Sequence, residues 1–198
     1  ISYEVALGLS VIAILMTAET VDLNSIIRPQ WAAGTVGLLE WNLFQQPLAA
    51  FIFLVAAFAE TNRLPFDLPE CEAELVGGFH TEYTGLKFAM FFMGEYVAMI
   101  TMSALMVTMF LGGWSLPWVE IPTTPGVGDI ALSIGIFMSK LIVLLFFYIW
   151  VRWTLPRFRY DQLMGIGWKV FIPLSLLNLG LTALSGVLGW NWLIPLPW

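Results

Sequence analysis

The sequence predicts an all-α, polytopic membrane protein, and three observations carry that expectation. Only 11% of the 198 residues are charged and 59% are hydrophobic, whereas soluble domains carry about 25% charged residues. The mean hydropathy is +0.84. Five apolar stretches approach the roughly 20 residues that a helix needs to cross a bilayer. The formal net charge of -6 excludes a nucleic-acid partner, because no basic patch exists to meet phosphates.

Helix A runs from about Ile1 to Thr17, helix B from about Trp41 to Ala59, and helix C from about Leu86 to Leu111. Helix D runs from about Ile130 to Val151 and helix E from about Val170 to Gly189. The breaks carry turn chemistry: Arg28-Pro29, Gly112-Gly113, Pro117, Pro122, Pro125-Gly126 and Pro156. Pro47 and Pro173 fall near helix beginnings, where a missing N–H is tolerated. The opening "ISYEVALGLSVIAIL" has no basic n-region and reads as a segment already under way, not as a signal peptide. The chain is expected to form a single membrane domain over residues 1–198.

Lys and Arg placement sets the expected orientation. Arg63 and Lys87 flank the B–C loop, and Arg152, Arg157, Arg159 and Lys169 lie around the D–E loop. The A–B loop has only Arg28, and the C–D loop has no basic residue. The N-terminus, the B–C loop and the D–E loop therefore face the positive-inside compartment. The terminal "WNWLIPLPW" is uncharged and Trp-rich, as an interfacial anchor is.

The B–C loop gathers six of the fourteen acids: Glu60, Asp67, Glu70, Glu72, Glu74 and Glu82. Asp67 and Glu70 fit a capping box, Pro69 suits a first turn, and Gly77-Gly78 ends the run. A short amphipathic helix from about Leu68 to Val76 places Leu68, Cys71 and Leu75 on one apolar face, with Glu70 and Glu74 side by side. A solvated helix on the membrane surface explains Asp67 and Glu70. It explains poorly why further like charges sit on so short an element, so a functional reading of Glu70 and Glu72 stands beside it.

Glu4, Glu95 and Lys140 interrupt spans, and a charge at mid-bilayer costs at least ~2.5 kcal/mol on insertion scales. Glu95 lies nine residues beyond Leu86, about 13 Å along the axis. A mutual ion pair would account for Glu95 and Lys140. Carboxyl groups drawn out of water and near one another also take and release protons near neutral pH. Glu4, Glu60, Glu82 and Glu95 are thus expected to line a proton path. Tyr3, Tyr83, Tyr96 and Tyr160 adjoin acids and fit hydrogen-bond chains or ordinary packing. One cysteine, Cys71, and one histidine, His80, leave no metal-ligand cluster and no disulfide. Any redox centres are expected in other chains.

The motifs "ISYEV", "AETNRLPFDLPECEAELVGGFHTEYTG", "FFMGEY" and "PRFRYDQLMGIGWK" closely resemble, in this order, the membrane subunit of respiratory complex I, called the H subunit in bacteria and subunit 1 in mitochondria. The resemblance implies a quinone tunnel, for ubiquinone or menaquinone as substrate, and the start of a line of buried acids. It implies partners: the quinone-site and iron–sulfur subunits of a hydrophilic arm, and small and antiporter-like subunits of the membrane arm. Flavin and iron–sulfur clusters would belong to those partners.

Residue by residue, Glu4 matches the glutamate of "SYE". Glu60 and Arg63 match the "AE-NR" pair, and Asp67, Glu70, Glu72 and Glu74 match the acids of the quinone-cavity loop. Glu82 and Glu95 match the two "EY" acids. Arg157, Arg159 and Asp161 match "PRFRYDQ", beside the hydrophilic arm, where an ion-pair network is the simpler role. The family carries about three further helices ahead of "ISYEV", which this sequence lacks.

The expected setting is the bacterial plasma membrane, or less readily the mitochondrial inner membrane. Three alternatives stand beside this reading. One is the homologous subunit of an energy-converting hydrogenase or formate hydrogenlyase, whose loop usually departs from "PFDLPE". The second is an independent proton-coupled channel or transporter, against which the missing internal repeats count. The third is a structural anchor, which leaves the mid-span glutamates unexplained.

Overall fold

Each of the five apolar stretches is helical in the computed structural model, which describes residues 2–27, 30, 41–66, 85–116 and 126–188. The elements are α1 (Ser2–Ala18), α2 (Leu23–Ile27), α3 (Asn42–Gln45), α4 (Pro47–Glu60), α5 (Leu86–Phe110), α6 (Val127–Thr154) and α7 (Tyr160–Leu188). Among the described residues every regular element is a helix, as the composition requires. The helices α5, α6 and α7 are long and apolar enough to cross a membrane, while α1 and α4 are apolar but shorter. The expected amphipathic helix at Leu68–Val76 lies outside the described residues.

α4 is the central post. Its buried set, Ala49, Ala50, Ile52, Phe53, Ala56, Ala57, Phe58 and Ala59, runs almost around the helix. In lipid there is little hydrophobic drive between helices, so close van der Waals packing must hold them. The alanines let neighbouring backbones approach α4. α1 answers with a stripe of small residues, Ser2, Ala6, Ser10 and Ala13, all buried, and packs antiparallel against α4 and beside α7. Farther along, Ile14, Phe53, Met106 and Phe110 share a core cluster, with the Phe53 and Phe110 rings 5.3 Å apart. Pro47 opens α4 as expected, and Gln46 before it donates from Nε2 to Ala13 O at 3.3 Å and to the Thr17 hydroxyl.

Two helices run past their expected bounds. α6 starts at Val127 because the Asp129 carboxylate accepts from the Gly126 N–H at 2.9 Å, supplying the N-terminal acceptor that the first turn lacks. α7 begins ten residues before the expected Val170, at Tyr160. Its first turn is held by the Gln162 side chain, which accepts from the Arg159 N–H at 3.1 Å. Pro173 is consequently inside a helix. A π turn at Gly167–Phe171 precedes it, and such a widened turn relieves the clash between a proline ring and the preceding carbonyls. Gly167 also faces Ser2 so closely that a Cβ there would come within 2.7 Å of Ser2 Oγ.

Lys140 departs from the expected pairing with Glu95. Its Nζ donates to Leu111 O at 2.6 Å, Gly113 O at 3.0 Å and Ser115 O at 2.5 Å, just beyond the C-terminus of α5. Glu95 lies sixteen residues earlier on that helix, about 24 Å away along the axis. The open carbonyls at the end of α5 are better acceptors for a mid-span ammonium than a carboxylate it cannot reach.

The end of α4 sets the course of the next residues. Asn62 adopts a left-handed conformation, φ 48°. Its N–H donates to Ala59 O at 3.4 Å and the Arg63 N–H to Phe58 O at 3.3 Å, the Schellman pattern that closes a helix and turns the chain back. The Arg63 side chain is thereby returned to the bundle. Asn62→Val places a β-branched residue in the left-handed region and is expected to destabilise by about 1–2 kcal/mol, with Asn62→Gly tolerated. Thermal denaturation of the assembled protein checks this. Gly167→Val is expected to lower stability by about 1–3 kcal/mol through overpacking against Ser2, and an unchanged melting midpoint would contradict that contact.

Candidate functional site

Antiparallel packing brings the start of α1, the end of α4, the start of α5 and the loop into α7 to one end of the bundle, the end from which the acidic loop departs. Tyr3 and Glu4 of α1 lie within Coulombic reach of Glu60 at the end of α4. Glu60 is half-buried and Glu4 exposed. Two acids that α1 and α4 carry at opposite ends of their sequences thus meet.

Three residues beyond Glu60, Arg63 is 7% exposed. Its Nε lies 3.0 Å from Glu95 Oε1, and its guanidinium sits 4.6 Å from the centroid of the Tyr96 ring. The contact with Glu95 is ionic and not an aligned hydrogen bond, and Arg63 Nη2 is buried with no hydrogen-bond acceptor among the described residues. Arg63 is thus buried while the Glu95 side chain is 25% exposed, so removing Glu95 would leave the guanidinium as a buried charge without its counter-ion. Glu95 therefore meets the end of α4 and not its middle, and the first turns of α5 project past that level.

Sequence reasoning missed the aromatic frame around this pair. Phe58 stacks on Tyr148 of α6 with centroids 4.0 Å apart, and the Tyr148 hydroxyl is in hydrogen-bond reach of the buried Thr61 side chain. Phe66 stacks on Phe158 at 5.6 Å, while the Phe158 N–H donates to Pro65 O at 2.9 Å. The segment carrying Arg63 is thus pinned to the loop carrying Arg157 and Arg159. Tyr148 has no acid beside it in sequence, so its spacing alone reads as lipid contact. "RFR" between Arg157 and Arg159 was the only signal for Phe158.

Of the expected residues, Glu4, Glu60, Arg63 and Glu95 converge at this end. Arg157 is half-buried there, and Arg159 and Asp161 are exposed at the start of α7. Asp67, Glu70, Glu72, Glu74 and Glu82 lie outside the described residues, as do Cys71 and His80. Among the described residues no three His, Cys, Asp or Glu side chains group as metal ligands would. The described residues thus give two charged groupings at this end, Glu4 with Glu60 and Arg63 with Glu95.

A profile of the NADH dehydrogenase family matches residues 1–183. The H subunit of the NADH-quinone oxidoreductase of Thermomicrobium roseum is 48% identical over 192 residues, 96% of this chain and 53% of the relative. The second H subunit of the Koribacter versatilis enzyme is 49% identical over 187 residues, 93% of this chain and 51% of the relative. The first H subunit of the Cytophaga hutchinsonii enzyme is 46% identical over 185 residues, 92% of this chain and 52% of the relative. The chain spans about half the length of the curated relatives it matches. It belongs to the NADH dehydrogenase family, in the branch that contains the H subunit of NADH-quinone oxidoreductase.

Proposed function

We propose that this chain forms part of the membrane subunit of a proton-translocating NADH-quinone oxidoreductase in a bacterial plasma membrane, where it lines the quinone cavity and begins a glutamate path for protons. The observation that carries this reading is the ion pair between the buried Arg63 and the partly exposed Glu95, at the same end of the bundle as Glu60 and Glu4. The electron carriers, flavin and iron–sulfur clusters, belong to partner subunits of the hydrophilic arm. Small and antiporter-like subunits of the membrane arm take up the protons' displacement.

Quinone reduction adds two electrons and takes up two protons, and negative charge builds on the headgroup oxygens between those events. Arg63 Nη2, a buried donor, is suited to stabilise that charge. A guanidinium drawn toward a reduced headgroup interacts less with Glu95, and a carboxylate that loses its cation binds a proton more readily. Glu60 and Glu4, close enough to sense one another's charge, extend the exchange along the end of the bundle. Moving each proton against 100 mV requires about 2.3 kcal/mol, within the scale of a buried ion pair made and broken. The acids Asp67, Glu70, Glu72, Glu74 and Glu82 complete the cavity loop in this proposal, and Arg157, Arg159 and Asp161 face the hydrophilic arm.

In the complete subunit, Glu95→Gln and Glu60→Gln are each expected to lower quinone-linked proton pumping about tenfold or more while the complex still assembles. Pumping at the wild-type rate in reconstituted vesicles would count against the path. Arg63→Ala is expected to reduce kcat/KM for quinone by roughly 10–100-fold, the scale of one lost charged hydrogen bond. Steady-state kinetics with a soluble quinone checks it, and wild-type constants would remove Arg63 from the cavity.

A further inference from the structure

The chain between α5 and α6 breaks in a setting where irregular backbone is costly. Lys140 stands at the midpoint of α6, with thirteen residues of Val127–Thr154 before it and fourteen after, so the carbonyls it holds lie level with the middle of that helix. Gly112 and Gly113 turn the chain with positive φ, 68° and 56°. At Gly112 a Cβ would come within 3.0 Å of Ser115 Oγ and 3.1 Å of the Trp41 ring nitrogen, so a side chain there would push on both besides straining the left-handed backbone. The resulting turn aims three carbonyl oxygens at one point. The Lys140 ammonium occupies that point at 2.5–3.0 Å from each oxygen and 4.6 Å from the Trp41 ring centroid.

We propose that the carbonyls of Leu111, Gly113 and Ser115, with the face of Trp41, form a binding site for a monovalent cation of the ammonium class, and that Lys140 delivers its resident ligand in cis. The donor set is that of a cation site. Helix C-termini carry partial negative charge, and unwound carbonyls at a broken membrane helix coordinate monovalent ions. An aromatic face adds attraction for a cation at this distance. Gln30 Nε2 and Asn42 Nδ2 donate to Met109 O at 3.3 and 2.7 Å, and Ser115 Oγ donates to Gly112 O at 2.7 Å, while the Trp41 ring N–H is buried with no acceptor among the described residues. Only the ammonium serves the three remaining oxygens among the described residues. By tethering the cation, the chain makes this site independent of the ions in solution.

Lys140→Ala in the complete subunit, within its native complex in lipid nanodiscs, leaves the carbonyls and removes three methylenes and the ammonium. Amide hydrogen exchange across 111–116 is expected to rise about tenfold or more, the scale of unsatisfied carbonyls. Propylammonium chloride, which replaces the deleted atoms, is expected to restore protection with a saturable dependence, while choline chloride at equal ionic strength does not. No response to propylammonium, ammonium or potassium, or an equal response to choline, overturns the site. Should the alanine variant not assemble, Lys140→Arg and Lys140→Met decide. Assembly of the arginine form alone supports the proposal, and any other pattern overturns it.

Discussion

A bundle in lipid has no water with which to satisfy its charges and open backbone groups, so each must find a partner inside the protein. α5 meets this requirement twice, with one cation against its first half and another past its last residue. In its third turn, Glu95 faces Arg63 from the turn after α4. Past its last residue, three carbonyls face Lys140 from α6. The helix is set in depth and rotation by these two contacts, and its neighbours are set with it.

The first contact depends on how α4 ends. The left-handed Asn62 and the reverse turn after it carry Arg63 back over the helix end, and the paired rings of Phe66 and Phe158 hold that turn against the loop into α7. The proposed coupling calls for such a side chain with limited freedom, held between Glu95 and the Tyr96 ring. The small-residue stripe on α1 has a related effect. By letting α1 lie close to α4, it brings Glu4 and Tyr3 to Glu60, so acids distant in sequence act on one another.

Much of this was legible in the residues. The apolar runs marked α1, α5 and the Asn42–Glu60 segment to within a few residues, because length and hydropathy are what a bilayer selects. The start of α7 was not legible. Pro156 and the basic residues as far as Lys169 read locally as a loop, whereas a side-chain cap at Gln162 and a π turn let the helix begin at Tyr160 and run through Lys169. The acids were legible as a group, since charges in an oily chain stand out. Their partners were not: Glu95 and Lys140 look matched by sign and by span position, yet antiparallel packing sets them about 24 Å apart along α5. Tyr148, Thr61 and Phe158 join the site only through tertiary contact, which no periodicity announces.

The central claim is that carboxylates beside Arg63 gain and lose protons as charge changes on a neighbouring quinone. Redox-difference infrared spectroscopy of the intact complex reads carboxyl protonation directly. On quinone reduction, a carboxylic C=O band is expected to change in intensity, and that signal is expected to disappear when Glu95 is replaced by glutamine. A difference spectrum without a carboxyl signal, or with one unaffected by the replacement, would show that Glu95 is a fixed structural anion and would contradict the claim.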